Sequence, residues 1–145
     1  MISLGDPTER EETTNYAREK IISFINGKEY RLAILIAFIY ASIRLNSLLA
    51  DFAVPQKEKI KNAQWKLKAE SVKRQTFSAR LNDCRQNGLL NDTEYQELDR
   101  LRLKRNDIAH ESRLWRSQVS TAEEAEIQSI CNDTIKFLER TKFML

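Results

Sequence analysis

The residues best suited to chemistry in this sequence lie between Arg105 and His110. His110 is the only histidine among the 145 residues. Histidine is the side chain that most readily exchanges a proton near neutral pH, and arginine is a natural partner for a phosphate group. Asn106 follows the arginine directly and can orient either group through its amide. This set of side chains fits the cleavage of RNA, in which the ribose 2′-OH attacks the adjacent phosphorus.

Each of these side chains has a definite role in such a reaction. His110 would take the proton of the 2′-OH or give one to the leaving 5′-oxygen. Arg105 would hold the phosphate and stabilise its developing charge, with Asn106 in support. The reaction requires neither a metal nor a cofactor. One histidine does not easily serve as base and acid in the same step, so we expect a homodimer with the site at its two-fold axis.

The same residues also have a purely structural interpretation. A histidine in the last turn of a helix is favoured by the helix dipole without any further role. An arginine followed closely by a histidine also arises by chance in an arginine-rich chain. On this interpretation the protein is a helical bundle in which Arg105 and His110 only stabilise a helix end.

The composition predicts the elements that must position these residues. The chain has three glycines, two prolines, 31% charged residues and 41% hydrophobic residues. This balance is typical of a helical globular protein and not of a disordered chain or a β fold rich in turns. We expect one all-α domain over residues 1–145, a bundle of four to six helices, with a flexible N-terminus at 1–5.

Capping signals and glycines predict where the helices begin and end. The expected helices cover about 6–26, 29–52, 56–87 and 91–110, and a last one begins at 121. Gly27 and Gly88 are expected just beyond two of the helix ends, in the C′ position. The region 56–87 is either one helix or two with a break near 69–71. Thr121 and Glu124 form the expected capping box of the last helix, after a loop at 111–120.

The predicted helix 91–110 carries the candidate site. Leu98, Leu101 and Ile108 form one apolar stripe on a helix of 3.6 residues per turn, and Arg105 falls inside that stripe. Asn106 and His110 are four residues apart and share a different face. The three polar side chains are therefore expected to line two sides of one shallow groove at the helix end.

The remaining helices are expected to bury their large apolar residues. The segment 32–41 is apolar nearly all round, but it is about half the length needed to span a bilayer, so we expect a central buried helix. The other expected core residues are Tyr16, Ile21, Ile22, Ile25, Trp65, Leu67, Val72, Phe77, Leu81, Cys84, Ile127, Ile130, Cys131, Ile135, Phe137 and Leu138.

A basic segment lies before the candidate site. Residues 57–85 hold nine lysines and arginines against three acidic residues. Such an excess either attracts a polyanion or only solvates a helix face, and the sequence does not decide between the two. Trp115 is a candidate wall of the groove beside His110. The candidate RNA-binding residues are Lys57, Lys61, Lys66, Lys68, Lys73, Arg74 and Trp115.

Cysteine usage and the N-terminal sequence bear on the compartment. Cys84 and Cys131 are far apart without a CxxC pattern, and one histidine with two scattered cysteines makes a zinc site improbable. The first residues lack the pattern of a signal peptide. We therefore expect a cytoplasmic protein with no metal and no membrane partner.

The segment from Leu98 to Glu111 resembles the signature of the HEPN superfamily (higher eukaryotes and prokaryotes nucleotide-binding). That signature is an arginine, often followed by a polar residue, and a histidine after a gap of four to six residues. Here Asn106 fills the polar position and the gap is four. The family fold is a small helical bundle with this motif in a late helix.

The resemblance implies a function and partners. Many members are metal-independent endoribonucleases of toxin–antitoxin, abortive-infection and CRISPR systems, and they act as dimers whose paired motifs form one composite site. By this resemblance Arg105 and His110 would be catalytic, Asn106 would support them, and the partners would be single-stranded or loop RNA and a cognate antitoxin or regulatory protein. Other members bind nucleotides, nucleic acid or proteins without catalysis, and this alternative stays open.

Overall fold

The computed structural model describes residues 7–53, 61–110 and 119–142, with side chains described for 10–53, 66–68, 70–110 and 119–142. Every regular element within these ranges is an α-helix. The helices are α1 Pro7–Asn26, α2 Tyr30–Ala53, α3 Lys61–Lys73, α4 Phe77–Gln86, α5 Asp92–His110 and α6 Thr121–Thr141. The prediction of an all-α bundle of four to six helices is confirmed in this part of the chain.

Helix α2 is the centre of the bundle. It packs against each of the other five helices, while α5 and α6 also pack on one another. Its length and composition would allow it to cross a membrane, which is a weak indication because buried core helices have the same properties. The expected central helix is confirmed for one side, since Ala33, Ile34, Ala37, Ala41 and Leu45 are fully buried.

A polar network lies inside the bundle between α1, α2 and α6. Arg44 of α2 is 3% exposed, and its guanidinium donates to the Oγ1 of Thr14 at 2.6 Å. It also donates to the carbonyl oxygen of Leu138 at 2.6 Å and to the Oγ1 of Thr141 at 2.8 Å. Burial, together with the nearby charge of Arg10, lowers the pKa of Arg44 to about 10, so Arg44 is still charged at neutral pH. The network therefore joins three helices through one buried charge.

A second buried arginine lies beside the first. Arg10 of α1 forms an ion pair with Asp51 of α2, and both side chains are 2% exposed. Its Nε donates to the Oγ of Ser47 at 2.8 Å. Asp51 is thus the carboxylate that compensates the buried positive charge at this end of the bundle.

The predicted end of α1 at residue 26 is confirmed, but the C′ residue lies one position later than predicted. Lys28, not Gly27, is the residue with positive φ, at 60°. The backbone N–H of Lys28 donates to Ile25 O at 3.0 Å and that of Glu29 to Phe24 O at 2.7 Å. These two bonds form a Schellman motif in which Lys28 is the C′ residue. Glycine is favoured in this position but is not required, so the glycine alone did not locate it.

The region 56–87 contains two helices, and the predicted break is misplaced. The described part of the region is helical from Lys61 to Lys73 and again from Phe77, so the break lies at 74–76 and not near 69–71. Thr76 caps α4, because its side chain accepts a hydrogen bond from Ala79 N at 3.1 Å. Gly88 has a φ of 74° after the end of α4, as predicted.

The capping box of α5 is complete, whereas α6 has an N-cap one residue earlier than the predicted box. Asn91 Oδ1 accepts from Glu94 N at 2.7 Å, and Glu94 Oε1 accepts from Asn91 N at 3.1 Å. For α6 the cap is Ser120, whose Oγ accepts from Glu123 N at 3.2 Å, and not Thr121. Each of the two hydroxyls has a glutamate three residues later, so the spacing alone did not distinguish them.

The expected core is only partly correct in α3 and α4. Val72, Phe77 and Leu81 are buried, which confirms their prediction. Leu67 is 74% exposed, and its prediction is wrong. It lies five residues before Val72, about 140° around the helix, and therefore on the opposite side of α3 from the buried face. The side chain of Trp65 is not among those that the structure describes.

The predicted core residues of α1 are also only partly correct, whereas the remaining predicted core residues are confirmed. Ile21 is buried and Ile25 half-buried, but Tyr16 is 51% and Ile22 43% exposed. The buried stripe of α1 continues from Ile21 to Ala17, and each exposed residue is one position, about 100°, away from it. The other expected core residues are buried or, for Ile135, half-buried: Cys84, Ile127, Ile130, Cys131, Ile135, Phe137 and Leu138.

The Arg10–Asp51 pair yields a prediction about stability. We expect Asp51→Asn to lower the free energy of unfolding by about 3 kcal/mol or more, because it leaves Arg10 buried without its carboxylate. Urea denaturation followed by circular dichroism measures this change. The matched control is Asp92→Asn, which removes an exposed partner of Arg85 and should cost at most about 0.5 kcal/mol. Similar small losses in both variants would contradict the role given to Asp51.

Candidate functional site

Helix α5 is fixed at both ends before it presents the site. At its start, Glu94 accepts hydrogen bonds from Arg140 of α6 as well as from the Asn91 backbone. Near its end, Lys104 lies 3.3 Å from Glu123 Oε1 and 3.5 Å from Glu126 Oε1, both on α6. Between these points, the predicted stripe Leu98, Leu101 and Ile108 is buried. The C-terminal turn of α5 therefore has a defined position on the bundle.

Arg105 is half-buried and its guanidinium contacts an aromatic ring of α2. Its guanidinium carbon lies 4.6 Å from the ring centroid of Phe38, which is a cation–π contact. The Phe38 ring is in turn 4.6 Å from the ring of Phe77, the first residue of α4. The placement of Arg105 on the apolar stripe is thus explained, because an aromatic face receives its charge.

Asn106 is bonded to the arginine. Arg105 Nη1 donates to Asn106 Oδ1 at 3.1 Å, and both side chains are half-buried. This bond uses one N–H of the guanidinium and leaves others for a ligand. The arginine is therefore held from two sides without losing its capacity to bind a phosphate.

His110 is the last residue of α5, and its side chain is exposed. The prediction that it lies in the last helical turn is confirmed. In the part of the chain that the structure describes, no hydrogen bond joins His110 to Arg105 or Asn106. A spacing of five residues turns an α-helix through about 500°, so Arg105 and His110 leave the helix about 140° apart.

This divergence limits what one chain can do. Asn106 lies on the arc between Arg105 and His110, about 40° from the histidine. Arg105 and Asn106 are brought together, and His110 stands apart at the exposed end of the helix. One copy of α5 therefore presents an anchored guanidinium and an exposed imidazole in different directions.

The predicted RNA-binding residues fall into two groups. Lys66, Lys73 and Arg74 are exposed and Lys68 is half-buried. Lys57 and Trp115 lie outside the described residues, and the side chain of Lys61 is also not among the described ones.

Two other basic residues of the segment are engaged within the bundle. Arg80 donates from Nη1 to Ser42 O at 3.1 Å. Arg85 pairs with Asp92 at 3.0 Å and lies 4.5 Å from the Tyr95 ring centroid. Lys66, Lys73, Arg74 and Arg85 are exposed, and of these Lys73 and Arg74 lie at the turn between α3 and α4.

Sequence reasoning missed Phe38, which supports the candidate site from another helix. It lies in a run where nearly every residue is apolar, so nothing in the local pattern distinguished it from its neighbours. The one usable signal was Arg105 itself, because an arginine on an apolar stripe requires an aromatic, acidic or wet environment.

The cysteines and acidic residues offer no second chemical centre in the described ranges. Burial raises the pKa of both Cys84 and Cys131 to about 12, so neither thiol is a ready nucleophile at neutral pH. Among the described residues, no group of three or more His, Cys, Asp or Glu side chains is placed to hold a metal ion.

Comparison with known proteins gives this chain no relative. No family model, no curated protein and no solved structure matches it. The structure itself defines the class as an all-helical bundle arranged around α2, with Arg105, Asn106 and His110 at the end of α5.

The contact between Arg105 and Phe38 can be tested without any ligand. We expect Phe38→Leu to remove the ring-current shift of the Arg105 Hε resonance, whereas Phe38→Tyr keeps it, because only an aromatic face produces the shift. Heteronuclear NMR measures the resonance, and Arg105→Lys assigns it. An Hε frequency that is the same in all Phe38 variants would show that the guanidinium does not stack on this ring.

Proposed function

We propose that this protein is a metal-independent endoribonuclease of the HEPN type, which cleaves single-stranded or loop RNA at a composite site formed by two copies of α5. One observation carries the proposal: Arg105 is held by Phe38 and Asn106 on the helix that ends in the only histidine of the chain. An anchored guanidinium and an exposed imidazole are the two kinds of group that transesterification of RNA uses, with two imidazoles needed as base and acid.

The divergence of Arg105 and His110 supports a site shared between two chains. The reaction takes one proton from the 2′-OH and gives one to the 5′-oxygen of the leaving nucleoside, while the phosphorus–oxygen bond to that nucleoside breaks. Each chain has one histidine, so two chains supply the base and the acid. A two-fold axis next to the end of α5 would also bring the two arginines to one phosphate.

The solvent-facing basic residues support RNA as the substrate. Lys73 ends α3 and Arg74 begins the turn that leads to Phe77, and the Phe77 ring packs on Phe38, the ring that receives Arg105. The basic turn is therefore only a few residues from an aromatic pair that contacts the motif. A strand that binds Arg105 would have these cations beside its phosphates.

The alternative is a module that binds nucleotide, nucleic acid or protein without cleavage. The observation that favours it is the same divergence, because one chain alone does not place His110 beside Arg105. The two functions predict the same binding surface and differ only in whether the bound RNA is cut.

Cleavage is tested with purified protein, single-stranded RNA and excess EDTA. We expect products with 2′,3′-cyclic phosphate and 5′-hydroxyl ends, and no cleavage where the scissile nucleotide is 2′-deoxy. His110→Ala should lower the rate by at least about 100-fold and Arg105→Ala by about 100-fold, because they remove proton transfer and charge stabilisation. Arg100→Ala, an exposed arginine on the same helix, is the matched control and should cleave normally. Intact RNA with bound wild-type protein would support the alternative.

The composite nature of the site is tested with mixed dimers. A dimer in which only one chain carries His110→Ala should be nearly inactive, because base and acid come from different chains. Independent sites would instead leave about half of the activity. Gel electrophoresis of labelled RNA with tandem-tagged, purified mixed dimers measures the difference, and retention of half the rate would reject the shared site.

The basic surface makes a separate prediction about salt. Each RNA phosphate that the protein no longer neutralises should reduce the slope of log affinity against log salt by about 0.7 for a single strand. We therefore expect the triple substitution Lys66→Gln, Lys73→Gln and Arg74→Gln to flatten the slope by about 2. Fluorescence anisotropy with the catalytically silent His110→Ala protein measures it, and Lys136→Gln on α6 serves as a control for an exposed lysine elsewhere. An unchanged slope would show that Lys66, Lys73 and Arg74 do not contact the RNA phosphates.

A further inference from the structure

The most exposed residues of helix α2 are all apolar, while its polar residues are buried or half-buried. Its exposed residues in the described structure are Leu32, Ile39, Ile43, Phe52 and Ala53, and not one of them is polar or charged. Ile39 is 48% exposed, Ile43 37% and Leu32 36%. A helix face that simply meets water normally carries charged or polar residues. This face therefore has the composition of a surface that is covered.

Three of these residues form a continuous line with the half-buried Ile36. Leu32, Ile36, Ile39 and Ile43 are spaced by four, three and four residues, which places them within a narrow sector of the helix over roughly 16 Å. We call these four residues the α2 stripe. Its spacing is that of the seam between two packed helices.

Two tyrosines extend the stripe toward α1. Tyr40 lies one turn from both Ile36 and Ile43, and its ring centroid is 6.0 Å from that of Tyr16, which is 51% exposed. The Nζ of Lys20 lies 5.7 Å from the Tyr16 ring centroid, so a cation borders the apolar surface on the α1 side. The apolar centre of the surface is therefore the α2 stripe with Tyr40 beside it.

We propose that two copies of this chain pair through the α2 stripe. The choice of a second copy as the partner rests on the proposed function. A two-fold interface sets one surface against itself, so a charge at its centre would meet its own copy. The stripe has no charge and pairs with itself without repulsion.

The position of the stripe also fits the incomplete site. Ile39 directly follows Phe38, the ring on which Arg105 stacks, so the stripe and the motif are supported by neighbouring residues of one helix. Phe38 and Ile39 leave α2 about 100° apart, so a copy docked along the stripe would have to reach around α2 by that angle to bring its α5 end to that of the first chain. That copy would then supply the second histidine that one chain lacks.

The solution mass tests this surface. We expect a mass of twice the 17.0 kDa of one chain for the wild type. Ile39→Glu should give a monomer, with the dissociation constant raised at least about 30-fold, since it places a charge in the centre of the buried patch. The matched control is Leu67→Glu on α3, which is 74% exposed and outside the stripe, and it should remain a dimer. Light scattering after size exclusion over a wide concentration range measures the mass.

A second variant covers the case in which Ile39→Glu does not fold. Ile39→Cys is a small change near the middle of the stripe, and both native cysteines are buried. We expect the thiols introduced at position 39 to form a disulfide between chains under mild oxidation, and those of Leu67→Cys to form none. Non-reducing electrophoresis reads the result, and equal cross-linking of the two variants would overturn the proposal.

Other occupants give different results. A monomeric wild type that sediments with phosphatidylcholine vesicles, and loses this with Ile39→Glu, would assign the stripe to lipid and overturn the pairing. A wild type that stays monomeric without binding vesicles would also overturn it. Neither the solution mass nor the cross-linking depends on RNA cleavage. Dimers that depend on Ile39 but do not cut RNA would contradict the proposed function alone. Ile39→Glu protein that remains dimeric and cuts RNA normally would contradict this inference alone.

Discussion

The buried charge of Arg44 is the constraint on which the rest of the structure depends. Its guanidinium is satisfied by oxygens of Thr14 on α1 and of Leu138 and Thr141 on α6. A buried charge deprived of such acceptors costs several kcal/mol, so α1 and α6 are stable against α2 in only one arrangement. Apolar contacts alone would not define the rotation of α2, because that helix is apolar on nearly every side. The polar network selects the rotation.

That rotation decides what the other faces of α2 present. With Arg44 and Asp51 turned toward α1 and α6, Phe38 meets Phe77 of α4 and receives the guanidinium of Arg105 from α5. Ile39, one residue and about 100° further round, is left exposed. The support of the motif and the uncovered apolar face are therefore two consequences of one choice of rotation. A change in the buried network would alter both together.

The sequence predicted what local interactions determine. The all-helical class, the capping box at Asn91 and the end of α1 at Asn26 follow from patterns of a few residues, and the structure confirms them in the residues that it describes. The burial predicted for Leu67 was wrong and the contact made by Phe38 was missed, because both depend on which face of a helix meets its neighbours. In the run 32–41 of α2 nearly every residue is apolar, so the spacing of apolar residues does not identify the buried face. The unusual position of Arg105 was visible, but its partner lies 67 residues earlier in the chain, beyond the range of a local pattern.

The candidate site is limited by proton balance more than by geometry. Transesterification needs a group that accepts a proton and a group that donates one in the same event, and at neutral pH an imidazole does either but not both at once. The chain has one histidine, both cysteines are buried with raised pKa, and Lys104 is held between two glutamates. Asp107, an exposed carboxylate, is the other acid–base side chain described in the last turn of α5, and it is not a second imidazole. In the proposed dimer a second copy would supply that imidazole, and the same symmetry would cover a face of α2 whose exposed residues are apolar.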